Sequence, residues 1–424
     1  MLLRLAWLLV DLILCAGVLA AFLIAAPGGT EFTIQGHQIR AHSVGNLLAG
    51  LSLLTAGRYW AGRRTPFLGI LAVAGAADHA GRLLEASAER LERLTSRRAA
   101  QVVAVFAAAV LALKAANALI HPGFFSGDDV EVHEMTLGHL FGRAWPVWDL
   151  RSAFYPMAFI YPVQACLASM GVTDAGTLVV AGRLVVVALS TLMLPLLYNA
   201  SKRAYGTQVA IAAVAFASFS GLNIDLGSTE LPRPVSTVVV LAAFRLLMAS
   251  TSTAGAIAGV LLGVAATLRF SEAVFAVPAL IQLAGEKRFR SAFLLIVGWL
   301  VTVAAIQSLS DWLFWGEAFH SARAIVDFTL VKGLSSRGYE PVWYYLTTAP
   351  LWTNLLVCVL AAVGTASGHW RPALWAWAPI GLLSLLPHKE FRYLIPALPF
   401  VFMLAGLGFA STVAFARRRS NPWA

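Results

Sequence analysis

A chain of 424 residues that is 59% hydrophobic and only 12% charged, with a mean hydropathy of +0.75, has too little polar surface to cover a soluble globule of its size. Its formal charge of +10 invites a nucleic-acid reading, but the arginines are scattered at the ends of apolar runs without stacking aromatics or zinc-finger spacing, so no nucleic-acid partner is expected. Cys15, Cys166 and Cys358 lie in apolar stretches with no ligand spacing, which argues against a disulfide framework and against a metal site.

A polytopic membrane protein remains. Apolar runs of about 20 residues recur from end to end, the length a helix needs to cross lipid. They are continuous Leu/Ala/Val runs rather than the alternating pattern of a barrel, so the expected fold is all-α, with about 10–12 transmembrane helices. In the first 26 residues Asp11 interrupts the apolar run and the cleavage context is poor, which predicts a retained first helix within an N-terminal membrane module, residues 1–98. From 78 to 98, Leu83, Leu84, Leu91 and Leu94 recur at helical spacing among Glu85, Glu89, Glu92 and several arginines, an amphipathic helix for the cytoplasmic surface.

Basic clusters at 58–64, at 82–98, at Lys202-Arg203, at Lys287-Arg288-Arg290 and at 417–419 mark the inside. Arginine far in excess of lysine, with heavy alanine use, is the composition of a GC-rich bacterial genome, so the expected location is a bacterial inner membrane with a site facing the periplasm or exterior. The run 99–120, which opens a second domain at 99–424, crosses outward and delivers an external loop, 121–151, rich in acids: Asp128, Asp129, Glu131, Glu134 and Asp149. Parity with the next basic marker requires that one of the runs 154–172 and 176–198 does not cross. The first, with Tyr155-Pro156, Tyr161-Pro162 and Gln164, suits an interfacial or re-entrant helix. Crossings at 207–222, 233–250, 254–269, 272–285, 290–310, 342–364, 371–387 and 391–413 complete the chain.

This count places four polar patches on one face: the Asp128-Asp129 loop, the turn 228–233, the pair Arg269 and Glu272, and the knot His388-Lys389-Glu390-Phe391-Arg392. A charge at bilayer depth costs roughly 2.5 to 3.5 kcal/mol on insertion scales, so such clusters mark working sites more often than chance placement. Carboxylates facing several cations suit transfer from an anionic lipid, where the acid takes a proton from an acceptor hydroxyl and the cations steady a leaving phosphate. Each patch also has a plain structural reading: an N-capping acid pair, span-end arginines that snorkel, or a salt-bridge lock between spans.

The string Pro387-His388-Lys389-Glu390-Phe391-Arg392-Tyr393, running on through Pro396 and Pro399, resembles the His-Lys-Glu signature of glycosyltransferase family 22, the polytopic mannosyltransferases that use dolichyl-phosphate-mannose. His121-Pro122 with Asp128-Asp129, Trp148-Asp149-Leu150-Arg151-Ser152 before Tyr155-Pro156, Asp311 with Phe314-Trp315-Gly316, and Ser336-Arg337-Gly338-Tyr339-Glu340-Pro341 follow the order of that family's loops. The likeness covers about residues 99 to 413. It implies a GT-C fold with a helical first outer loop, a polyprenyl- or dolichyl-phosphate sugar as donor, plausibly of mannose, a glycan or lipid-linked acceptor, and an inverting single displacement. Carried over residue by residue, Asp128 or Asp129 is the base; His388, Lys389 and Arg392 hold the donor phosphate with Arg269 and Arg233 as helpers; and Glu390 orients Lys389 or Arg392. Arg151, Arg337 and Tyr339 then orient or bind the acceptor. Protein cations can meet the charge of a lipid monophosphate, so neither cofactor nor metal is expected. Residues 123–127 separate His121-Pro122 from the acids, a departure from the family that leaves the choice between Asp128 and Asp129 open. The rival readings are a lipid-linked saccharide flippase, disfavoured by the lack of half-to-half repetition, and a non-catalytic assembly subunit.

Overall fold

The computed structural model describes residues 30–34, 37–41 and 94–420, apart from 122, 125, 144–146, 149 and 333–337. Two compact units divide the chain, Met1–Glu89 with Ala416–Ala424, and Arg90–Phe415. In the first, the described residues form an antiparallel hairpin, β1 (Thr30–Ile34) with β2 (His37–Ala41), in which Phe32 faces Ile39. This hairpin was not expected from the sequence. The retained first helix and all but the last residues of the amphipathic segment 78–98 lie outside the described residues.

The second unit is helical throughout its described residues. Helix α1 (Ser96–Ile120) is capped by Thr95, whose hydroxyl accepts from Arg98 N–H at 3.4 Å. The loop after α1 carries α2 (Gly127–Leu140), and a π-helical turn at Pro156–Ile160 runs into α3 (Tyr161–Ser169). Then come α4 (Ala175–Thr191), started by Asp174, and α5 (Met193–Tyr205), which together make a 31-residue apolar helix. Helices α6 (Thr207–Ser218), α7 (Gly221–Leu226), α8 (Arg233–Leu247) and α9 (Ser252–Leu268) follow. A 3-10 turn at Phe270–Phe275 leads into α10 (Ala276–Gly285), and the long α11 (Phe289–Trp315) leads into the loop with α12 (His320–Val326).

Where one span was expected at 342–364, the chain breaks into α13 (Tyr344–Thr347), α14 (Ala349–Trp352) and α15 (Leu355–Ala366). Pro350 opens α14 and Asn354 recaps α15, its side chain accepting from Val357 N–H at 2.9 Å, so helix restarts replace a single rod. Helix α16 (Trp370–Ser384) and a 3-10 segment at Phe391–Ala397 lead into α17 (Leu398–Ser420). Pro396 and Pro399 remove the donors an α-helix would need there, which accounts for the 3-10 stretch.

Among the described residues four helices are long and apolar enough to cross a membrane: Ser96–Ile120, Ala175–Tyr205, Phe289–Trp315 and Phe391–Phe415. The last is 83% buried along its apolar window and forms the middle of the bundle, whereas Phe289–Trp315 is 11% buried. Leu300, Val301 and Leu313 are more than half exposed on that outer helix. Only lipid solvates such a surface favourably, so the chain is an integral multi-pass membrane protein. Backbones approach closely where α15 crosses α17: a Cβ on Gly364 would meet Leu404 O at 1.9 Å, and one on Gly408 would meet Leu360 O at 1.9 Å. Helices α8, α10 and α16 meet at one end through Arg288, which donates to Leu247 O at 2.8 Å and pairs with Glu286, itself bonded by Arg371 at 2.8 Å. The starts of α2 and α8, the turn before α10 and the segment after α16 meet at the other.

Candidate functional site around Asp128

The loop after α1 turns helical because Ser126 and Asp129 start α2: the Asp129 carboxylate turns back to accept from Ser126 N–H at 2.9 Å. That leaves its neighbour to face another direction. Asp128 Oδ1 accepts from Arg151 Nη2 at 2.6 Å, and Oδ2 accepts from Arg269 Nη2 at 3.0 Å and lies 2.9 Å from Arg392 Nη1. An acid from the first loop is thus in contact with a cation 264 positions further along, contributed by the His388–Arg392 knot. Burial alone would push the Asp128 carboxyl up; the Arg269, Arg151 and Arg392 guanidinium groups, with Arg233 behind them, overcome it and hold Asp128 well below the usual carboxylate range. Burial pushes the Asp129 carboxyl to about 7, helped by Glu230 and Asp128 and opposed by the Ser126 N–H.

The knot is internally tied. Glu390 bridges His388 Nε2, at 2.8 Å, and Arg392 Nε, while its carbonyl accepts from Tyr345 OH at 3.1 Å. Of the two partners expected for Glu390, Arg392 is therefore the one engaged. Lys389 points elsewhere: its ammonium donates to Glu340 O at 2.7 Å and Leu386 O at 2.6 Å, pinning the late outer loop to the end of α16. Arg233 is 2% exposed, stacks 4.2 Å from the Tyr393 ring centroid, donates to Ser271 Oγ at 3.3 Å and stands 3.6 Å from Glu272. Its Nη1 is buried without a hydrogen-bond partner. Tyr339 is 70% exposed, away from the Asp128 cluster's buried contacts, and Arg337 lies outside the described residues.

Arg151 is held from three sides. Its Nε pairs with Glu131 on α2, its guanidinium lies 5.4 Å from the Trp148 ring centroid, and its carbonyl accepts from Trp315 Nε1 at 3.2 Å. The end of α11 is set in turn by Asp311, which accepts from Ser321 N–H at 2.9 Å, and by Gln307, which donates to Ser321 Oγ at 2.8 Å.

A second buried network, unforeseen from the sequence, fixes the back of α2. Glu230 Oε1 accepts from Arg183 Nε at 2.7 Å and from His133 Nε2 at 3.0 Å. Gln164 donates to His133 Nδ1 at 3.0 Å and to Leu178 O at 3.1 Å, which assigns the Nε2–H tautomer to His133. Arg183 also donates to His121 O at 2.9 Å and Gly123 O at 2.6 Å, and Tyr155 OH donates to Glu230 O at 2.7 Å. Burial pushes the Glu230 carboxyl up, but its bonds from His133 and Arg183 bring it below the ordinary value. Gly182 is what admits His133, since a Cβ there would stand 3.1 Å from His133 Cε1. Lys114 in α1 is likewise fully buried, donating to Ser190 Oγ at 3.0 Å and Asn223 Oδ1 at 3.3 Å. Arg183 and Lys114 each interrupt an apolar run, which is the signal that could have marked them.

No curated protein sequence matches the chain. Similar solved structures are ArnT from Cupriavidus metallidurans in the apo state, with a TM-score of 0.57 and 16% identity over 73% of this chain and 60% of that one, and the same protein bound to undecaprenyl phosphate, with a TM-score of 0.53 and 15% identity over 72% and 59%. The oligosaccharyltransferase of Archaeoglobus fulgidus in the apo form aligns with a TM-score of 0.53 and 11% identity over 78% and 52%. The chain thus spans between about half and three fifths of the length of these structures, and at such identities the likeness is one of fold. A family model matches residues 133–423, beginning four positions after Asp129. With more than half of its length so matched, the chain belongs to the Alg9-like mannosyltransferase family and has the fold of the GT-C glycosyltransferases.

Proposed function

We propose that the protein is an inverting membrane glycosyltransferase that moves a hexose, mannose by family, from a polyprenyl-phosphate donor to a hydroxyl of a glycan or lipid-linked acceptor at the outer face of a bacterial inner membrane. The observation that carries this reading is the convergence of Arg151, Arg269 and Arg392 on the Asp128 carboxylate. An acid set against three guanidinium groups is the division of labour that proton removal and phosphate departure require.

In this reading Asp128 receives the acceptor's proton, while Arg269, Arg392 and the unpartnered Nη1 of Arg233 meet the phosphate. Planar guanidinium forks suit phosphate oxygens better than a single ammonium does. Lys389 acts by holding the late loop in place, and Asp129 by starting α2. The family supports mannose as the sugar, and the undecaprenyl phosphate bound to ArnT supports a polyprenyl carrier. Arg337 and Tyr339 remain acceptor-side candidates by the family's loop order.

The test is transfer of label from polyprenyl-phosphate-[14C]mannose by purified protein, with a lipid extract as acceptor and water as the fallback acceptor. Asp128→Asn should reduce the rate by about 10²- to 10⁴-fold, the range for loss of a general base. A protein that binds the donor and releases no sugar to any acceptor is a carrier or assembly subunit, and the reading fails.

A further inference from the structure

The three guanidinium groups on Asp128 differ in what else holds them. Arg151 is fastened to α2 itself through Glu131, three positions beyond Asp128, and is braced by Trp148 and Trp315. Arg392 is tied to Glu390 and donates to Ser126 Oγ at 3.2 Å. Arg269 is different. Among the described residues its guanidinium has Asp128 as its one hydrogen-bond partner, and its side chain is the most exposed of the three, 21% against 17% for Arg151 and 6% for Arg392. It also sits at a junction: α9 ends there in extended backbone, and the 3-10 turn carrying Ser271 and Glu272 begins.

We propose that Arg269 is an exchange residue: when donor binds, its guanidinium passes from the Asp128 carboxylate to the donor phosphate, and the carboxylate so relieved becomes able to take the acceptor's proton. This rests on the transfer reading above and adds to it an order of events. The arrangement presents a contradiction, because an acid bound by three cations has little affinity for a proton. The groups facing it are Arg151, Arg269 and Arg392 in contact, Arg233 behind, and Asp129 and Glu131 on its own helix. Arg269 is the largest of the cationic influences. Its departure, together with arrival of a phosphodiester anion, raises the proton affinity of Asp128 by both routes.

The bonds balance. The acceptor's proton goes to Asp128, the acceptor oxygen bonds to the anomeric carbon, and the anomeric carbon–phosphate oxygen bond breaks with its electron pair left on the phosphate. One negative charge is lost at Asp128 and one appears on the leaving phosphate, so a guanidinium that has already moved to the phosphate stands where charge develops.

The experiment is calorimetric titration of the full-length protein with polyprenyl-phosphate-mannose, without acceptor, in two buffers of different ionisation enthalpy near pH 5. The donor's phosphodiester does not titrate there, so uptake reports the protein. Binding should be accompanied by a measurable net uptake of protons. The uptake should vanish in Asp128→Asn, shrink at least twofold in Arg269→Gln, where the acid is already relieved, and persist in Arg151→Lys and Asp129→Asn. Donor binding without uptake, or uptake that survives in Asp128→Asn or is undiminished in Arg269→Gln, overturns the exchange. Transfer without uptake sinks the exchange and leaves the transfer reading intact; uptake without transfer does the reverse.

Discussion

Asp129 is wholly buried with its carboxylate turned back to the start of its own helix, and burial pushes its carboxyl up to about 7. A folded-state value above the unfolded one means that the fold favours the protonated acid. That contribution is complete below about pH 4, is lost as pH rises, and is gone above about 7, an effect of a few kcal/mol. Asparagine keeps an oxygen for the Ser126 N–H and carries no charge. Asp129→Asn should therefore flatten the fall in melting temperature between pH 5 and 8 and keep transfer within a few-fold, whereas Asp128→Asn should lose it. Parallel melting profiles for Asp129→Asn and the parent would refute this account of the buried acid. The sequence marked an acid pair in a loop between apolar runs but could not divide their roles, because adjacent residues on a helix differ by about 100° in direction and only the partners decide which faces the cations.

At the scale of elements, the site depends on α2 being held from behind. Glu230 supplies that hold through His133, Arg183 and, by its carbonyl, Tyr155, and Arg183 carries the constraint to the backbone of His121 and Gly123. Glu230→Ala leaves the Arg183 charge buried without its carboxylate and should cost about 3–5 kcal/mol, seen as a lower melting temperature in detergent and faster proteolysis near residue 123. Glu230→Gln should cost less, since the amide oxygen still accepts. A melting temperature unchanged in Glu230→Ala would mean that the network is not what positions α2. Most helices fall within a few residues of the apolar runs that announced them, as at Ser96–Ile120 and Ser252–Leu268. The exceptions have local causes: Pro350 and Asn354 restart the helix inside 342–364, and Phe32, Ile34 and Ile39 form an alternating pattern too short to stand out beside long apolar runs. The Glu230 network was not legible because its bonded side-chain pairs lie 31 to 97 positions apart, and no segment read alone shows which polar residues will meet.

Across the whole molecule, the Asp128–Arg392 contact means that the loop after α1 and the segment after α16 share one end of the bundle. Lys202, which donates to Ser96 Oγ at 3.1 Å, and the Arg288–Glu286–Arg371 cluster gather at the other. The proposed orientation, drawn from the positive-inside bias, puts the basic end inside and the Asp128 end out. In a full-length protein whose Cys15, Cys166 and Cys358 are replaced by serine, Phe124→Cys and Leu385→Cys, both exposed, should react with a membrane-impermeant maleimide added to intact cells. Trp370→Cys, at the far end of the helix that ends beside Leu385, should react only after the membrane is opened. Labelling of Phe124→Cys and Leu385→Cys from opposite sides would contradict the Asp128–Arg392 contact itself. Labelling of both only in opened cells would keep the site and reverse its orientation, so that the donor would have to present its sugar on the cytoplasmic face.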